Sequence, residues 1–210
     1  DTNVQNNVQY NYYLKAQNKA GIESVASNSV SATPYSTNKN GRISVNTTWS
    51  LINSPYIIDG DIIIDTGITL TIEGGAILKF DTNDINNLGN SVNKIEFIIL
   101  NNAKLITTGN VLFTSNSVNP VKGDWYGIIC YNLADTLSNL IVEYAEKGIE
   151  FRGSGRIVNS TFRNNNIGIY VTVSDVSVRY CDIFNNDYGI QVTGTNLTPK
   201  FNFNNIYNFL

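Results

Sequence analysis

Three stretches decide the fold: LSNLIVEYAEKGIEF (137–151), IVNSTFRNNNIGIYV (157–171) and VRYCDIFNNDYGIQV (178–192). Laid one beneath another, they agree column by column. Leu137, Ile157 and Val178 head them, Val142, Phe162 and Ile183 stand five residues on, and Gly148, Gly168 and Gly189 stand eleven on, each followed by Ile. Gly127 precedes the glycine column, giving separations of 21, 20 and 21 residues, while Phe201 and Ile206 extend the two apolar columns. A fixed period of this size marks a repeat architecture. Each period holds short apolar runs interrupted by Asn and Gly, the texture of short strands. Three such strands close no core alone and gain one by stacking on the next coil, so that like residues form ladders about 4.8 Å apart.

The expected fold is therefore all-β: a parallel β-helix with coils of about 21 residues, lined by Val142, Phe162, Ile183 and Ile206. A further column, Asn164, Asn185 and Asn208 with Tyr144 at its head, is expected to stack as an Asn ladder at a corner, satisfying turn backbone and bonding amide to amide. That accounts for 33 Asn in 210 residues without any appeal to function.

Composition excludes several classes. Charged residues are 15% of the chain, against roughly 25% in an ordinary soluble domain, and uncharged polar residues fill the gap. So much Asn disfavours long helices, because its side chain competes for the backbone. A net charge of −3 offers no footprint for nucleic acid, which is bound through Lys and Arg at the phosphates. With no His, Ser-His-Asp chemistry is impossible and the commonest metal ligand is missing. No apolar run approaches the roughly 20 residues of a membrane span. Cys130 and Cys181 are too few for a disulfide framework and stand in different columns three coils apart, so both are expected as reduced, inward thiols. A start at Asp1 without Met or a signal peptide, and a stop at Leu210 that leaves a strand edge open, suggest an excised piece.

Residues 1–35 read differently. Tyr10, Tyr12, Leu14 and Ala16 alternate as on a half-buried strand, followed by a KAGIES turn and a second strand. The YxYxxKAxNxxG pattern from Tyr10 to Gly21 and the closing SNSVSATP resemble the last two strands of a fibronectin type III module. Residues 36–46, polar with a Gly, read as a linker. Residues 47–210 form the β-helix, opened by a capping coil over 47–80. That coil, WSLINSPYIIDGDIIIDTGITLTIEGGAILKF from Trp49 to Phe80, together with NVLFTSN and GDWYGI further on, resembles the right-handed parallel β-helices of the pectin-lyase-like superfamily. The resemblance implies a secreted protein. Among enzymes of that superfamily it would imply either a Lys or Arg base with calcium or a close-set pair of Asp residues. Fold alone does not select between activity and none.

Glycoside hydrolysis needs two carboxyls about 5–10 Å apart, which on a solenoid means acids in one outward column or in adjacent ones. The column five before Gly reads Glu143, Arg163, Phe184, and that two after Gly reads Glu150, Tyr170, Gln191; neither stacks two acids. Glu143 and Arg163 suit a surface ion pair. Asp182 and Asp187 share one coil and suit solvent-facing positions. Asp59, Asp61 and Asp65, and the run from Asp81 to Asp84, are oxygen-rich enough for calcium but match no defined loop spacing; turn chemistry is the preferred account and calcium the alternative. Trp125, Tyr126, Tyr131, Tyr170 and Tyr188 are the candidate sugar-binding platforms, Trp125 first, the bland account being packing beneath loops. NxT triplets at Asn46, Asn159 and Asn196 are expected in so Asn-rich a text.

The expectation is a non-enzymatic extracellular module of a surface or secreted protein. It would act as a spacer or adhesive surface without catalytic residues or cofactor, its partners a polysaccharide or other copies of itself joined end to end. The alternative is a polysaccharide binder, or a lyase or hydrolase whose catalytic coils lie outside this chain.

Overall fold

The computed structural model describes residues 8–33, 37–173 and 175–207, so Asn208 lies outside the described residues. The chain divides into two units, Asp1–Ser36 and Thr37–Leu210.

In the first unit, β1 (Tyr10–Tyr12) and β2 (Val30–Ala32) pair antiparallel with Tyr10 opposite Ala32. Closer to the turn, Gln17 bridges Glu23, and Asn18 Oδ1 accepts the N–H groups of Ala20 and Ile22. The hairpin is present as expected. Its stripe is not half-buried, however: Tyr12, Leu14 and Ala16 are exposed, because two strands without a second layer have nothing to bury against.

The second unit is a parallel β-solenoid of about eight turns. β3 (Asn38–Ile43) begins it. One coil follows with β4 (Thr47–Trp49) and β5 (Tyr56–Ile64), and the next with β6 (Thr69–Ile72), β7 (Ile77–Phe80) and β8 (Glu96–Ile99). The third holds β9 (Lys104–Thr107), β10 (Val111–Ser115) and β11 (Trp125–Cys130), the fourth β12 (Thr136–Ser138), β13 (Leu140–Glu143) and β14 (Ala145–Phe151). Then come β15 (Gly155–Val158), β16 (Thr161–Arg163) and β17 (Ile167–Val171), and after them β18 (Val176–Arg179), β19 (Asp182–Phe184) and β20 (Tyr188–Val192). β21 (Lys200–Asn202) and β22 (Asn205–Tyr207) are the last described.

These strands line three faces. The first runs β3, the end of β5, β8, β11, β14, β17, β20. The second runs from the start of β5 through β7, β10, β13, β16, β19 and β22. β5 belongs to both, pairing with β7 through Tyr56–Ile58 and with β8 through Ile62–Ile64. The third face comprises β4, β6 and β9, then β12, β15, β18 and β21.

The ladder that defined the repeat is continuous on the second face: Tyr56, Leu78, Phe113, Val142, Phe162, Ile183 and Ile206. From Tyr56 to Ile183 it is buried, whereas Ile206 keeps register but is 54% exposed in the last described rung. Leu137, Ile157, Val178 and Phe201 form the matching ladder on the third face. Gly148 and Gly168 hold their column because a Cβ at either would stand 2.6 Å from the carbonyl oxygen of the glycine one coil on. Both cysteines are free and buried, and burial pushes each thiol up, Cys181 to about 11.

The corner between second and first faces closes with amides, one residue beyond the expected column. Asn164 and Asn185 stack in register, but with φ of 57° and 53° they serve as left-handed turn residues, a conformation Asn tolerates and Tyr144 shares at 62°. The bonding amides are Asn165 and Asn186. Asn165 Oδ1 accepts from Ala145 N (2.9 Å), while its Nδ2 donates to Val142 O and to Asn186 Oδ1 (both 3.1 Å). Asn186 Nδ2 repeats the pattern one coil later, donating to Phe162 O. At the corner between third and second faces, Ser160 Oγ and Asn204 Oδ1 accept from Leu140 N and Cys181 N.

Two assignments of segments change. The expected linker contains β3, which pairs with β5: Asn38, Asn40 and Arg42 face solvent while Ile43 packs on the core, so a one-sided rung reads as polar text. Residues 47–80 make one full coil and two strands of the next rather than a single cap. Earlier coils also carry long excursions at the corner where later ones turn tightly. One spans residues 81–95 and another 116–124; they reach forward through ion pairs, Lys94 to Glu146 (2.8 Å) and Lys122 to Asp187 (2.7 Å).

Candidate functional site

Outward-facing side chains of the first face form a column: Ile63, Ile98, Ile129, Glu150, Tyr170 and Gln191. Its upper half is apolar and buried, with Leu100, Tyr126 and Tyr131 packed against it. Its middle is ionic. Glu150, 4% exposed, accepts from Tyr126 Oη (2.8 Å), Lys147 Nζ (3.0 Å) and Arg152 Nε (2.8 Å), and Arg152 Nη2 adds a second bond to the carboxylate at 3.2 Å. Lys147 lies 5.1 Å from the Tyr126 ring centroid and 4.3 Å from that of Tyr170, and also donates to Tyr126 Oη. Lys147 and Glu150 are three apart and would lie on opposite faces of a regular strand. The register shift opposite Gly127 and Ile128 brings them to the same side, and Gly127, at φ 132° with no room for a Cβ, is the residue that permits it.

The electrostatics fix every member in its ordinary charge state. Burial acts to raise Glu150, but the hydrogen bonds from Arg152, Tyr126 and Lys147 outweigh it and hold the carboxyl below its usual range. Burial acts to lower Lys147, and the bonds to Tyr126 and Glu150 outweigh that and raise it. Burial, with Glu150 alongside, raises Tyr126, and the Glu150 bond raises Arg152. A general base near neutral pH needs the opposite, a lysine or tyrosine drawn down. This cluster is a hydrogen-bonded set of two cations and a phenol around one carboxylate.

Of the expected sugar platforms, Tyr126 and Tyr170 come together around Lys147, Tyr131 packs beside Ile129, and Tyr188 stands 63% exposed two coils beyond β14. Trp125 does not belong with them. It is fully buried, its ring 3.8 Å from that of Phe80 and its Nε1 donating to Glu143 O (3.0 Å), because it takes the inward position next to outward Tyr126. Glu143 does pair with Arg163 (2.7 Å), but as an 8% exposed carboxylate that also accepts from Thr114 Oγ1. Asp182 accepts from Asn205 Nδ2 and Asp187 pairs with Lys122, each with its own partner.

The oxygen-rich acids have partners, in a local turn for Asp84 alone and on distant segments of the chain for Asp59, Asp65 and Asp81. Asp59 accepts from the amides of Asn38 and Asn40, Asp65 pairs with Arg42, Asp81 accepts from Asn116 Nδ2, and Asp84 accepts from the N–H groups of Asn86 and Asn87. Among the described residues no three His, Cys, Asp or Glu side chains converge as a metal site. Sequence reasoning missed Lys147 and Arg152: Arg152 shares the face of Glu150 by plain alternation, and Lys147 joins them through the register shift at Gly127. It also missed a polar cleft on the third face, two hollows of about 340 and 310 Å³ sharing Thr136, Arg156 and Asp175 and extending to Arg179 and Lys200.

No protein-family model matches this chain, and no curated protein and no solved structure matches it. Fold and site thus define it as a parallel β-solenoid whose outer first face carries a closed ionic and aromatic cluster.

Proposed function

We propose that this chain is a non-enzymatic extracellular module of a surface or secreted protein, a rigid spacer with an adhesive outer surface. Kinship with the pectin-lyase-like β-helices, and with a fibronectin type III module in the N-terminal hairpin, is part of that reading and rests on the sequence motifs. The observation that carries it is the Glu150 cluster: one carboxylate is bound by two cations and a phenol, and these groups are held away from the protonation states that proton transfer at neutral pH would need. Incubation with plant, bacterial and algal polysaccharides, followed for unsaturated products and new reducing ends, is expected to give neither. Product formed by this chain would overturn the reading.

A polysaccharide-binding role is the second reading. It is favoured by the cationic side chains along the third-face cleft and by two ring stacks, Tyr180 on Phe203 (5.3 Å) and Phe184 on Tyr207 (5.2 Å). Retention on immobilised polysaccharide that is lost on Tyr180→Ala with Phe203→Ala, the fold intact, would favour it over the spacer.

A further inference from the structure

In the first two coils the corner between second and first faces is closed by carboxyls. Asp61 and Glu96 are both fully buried. Asp61 Oδ1 accepts from Glu96 N (2.7 Å) and its Oδ2 from Gly89 N (2.6 Å), so both its oxygens face donors. Glu96 Oε2 accepts from Asn90 N, but its Oε1 has no partner and no access to water. The two carboxyls flank one small volume: a Cβ on Gly89 would collide with Glu96 Oε2 and lie 3.1 Å from Asp61 Oδ2, which is why glycine stands there. Asp84 sits alongside, its Oδ1 accepting from Asp61 N at 3.2 Å. The cation acting on Glu96 is Arg152, which is already bound to Glu150, itself a carboxylate that opposes it. Asp59 is occupied by Asn38 and Asn40.

Two ionised carboxylates buried side by side, one with an unsolvated oxygen, are costly, and a single proton relieves the repulsion and removes the charge from that oxygen. We propose that residues 81–95 form a proton-operated strap: a proton held by the Asp61–Glu96 pair, with Glu96 its principal carrier, keeps Gly89 and Asn90 seated on the corner, and its loss frees them. Glu96 is the carrier because Oε1 is unoccupied, whereas protonating Asp61 would set an O–H against an N–H donor. Burial raises both groups; for Asp61 the N–H bonds from Glu96 and Gly89 pull back and Asp84 pushes up, leaving it at about 6. The two carboxyls face one small volume, so a proton on either acts on both.

Hydrogen exchange at the Gly89 and Asn90 amides, corrected for intrinsic rate, reads the opening directly. A group at about 6 when closed and near its ordinary 3.8 when open predicts roughly tenfold more opening at pH 8 than at pH 5. Glu96→Gln, a neutral mimic, is expected to keep the strap closed and flatten that dependence. Asp61→Asn turns an NH2 against a backbone donor and is expected to open it at every pH. Carbon-13 titration of the wild-type carboxyls needs no variant to fold and should show a midpoint near 6. Protection that does not change with pH in the wild type, pH dependence surviving Glu96→Gln, or both carboxyls titrating below about 4.5 would each overturn the proposal.

Discussion

The same corner is closed twice in this solenoid, by different chemistry. In the later coils Asn165 Oδ1 takes up Ala145 N and its amide hydrogens go to Val142 O and Asn186 Oδ1, so donors and acceptors both find partners. In the earlier coils Asp61 Oδ1 takes up Glu96 N, the equivalent task, but a carboxylate has no hydrogen to give and needs further donors. Gly89 and Asn90 supply them, and the long excursion from residue 81 to 95 brings them there. An amide corner can therefore be tight and indifferent to pH, whereas an acid corner requires a loop and responds to protons. Packing follows the same division. Phe80, Phe97, Phe113 and Trp125 meet in one cluster in the early coils, while buried aliphatic residues with Phe151 and Phe162 fill the later ones.

The comparison breaks most severely at the core. Phe162→Ala in the later half and Trp125→Ala in the earlier half should each cost about 3–5 kcal/mol by urea denaturation, with no pH dependence of their own. Asn165→Asp sharpens the contrast, since it puts an acid where an amide belongs and deprives Val142 O of its donor; a loss of about 2–4 kcal/mol is expected at pH 7. Because burial raises such a carboxyl, the folded variant holds a proton that its unfolded chain releases, so the deficit should shrink in acid. The wild-type acid corner has the same sign. The fold keeps the shared proton to about 6, the value burial and Asp84 set at Asp61, while the unfolded chain gives it up near 3.8, so this corner's contribution to stability is greatest below about 4, falls as pH rises to 6 and then levels. A loss on the order of 2 kcal/mol across that window, absent in Glu96→Gln, is the expected calorimetric result. Lys122→Ala should matter least, at under about 1 kcal/mol, because its ion pair with Asp187 is half exposed.

The repeat was legible because inward positions tolerate only apolar side chains: the columns through Val142 and Leu137 survive intact as ladders. What could not be read follows from local geometry that spacing does not encode. Trp125 and Tyr126 are neighbours, and alternation says that one points inward without saying which. Lys147 and Glu150 share a face only through the Gly127 register shift, and Asn165 rather than Asn164 carries the ladder because one turn residue must adopt positive φ. β3 hid as a linker since its outer face is all polar. Asp61 and Glu96 lie 35 residues apart and meet only because β5 and β8 are adjacent rungs.

Stacked repeats ordinarily touch nearest neighbours alone and come apart rung by rung from an end. The excursion at 116–124 departs from that rule, since Lys122 of the third coil grips Asp187 of the sixth and a Cβ on Gly123 would lie 3.0 Å from Asn166 of the fifth. Peeling the sixth coil away thus also requires releasing a tie anchored three coils back. Under a pull along the axis, that half-exposed tie should add a small step, under about 1 kcal/mol, to the release of the sixth coil.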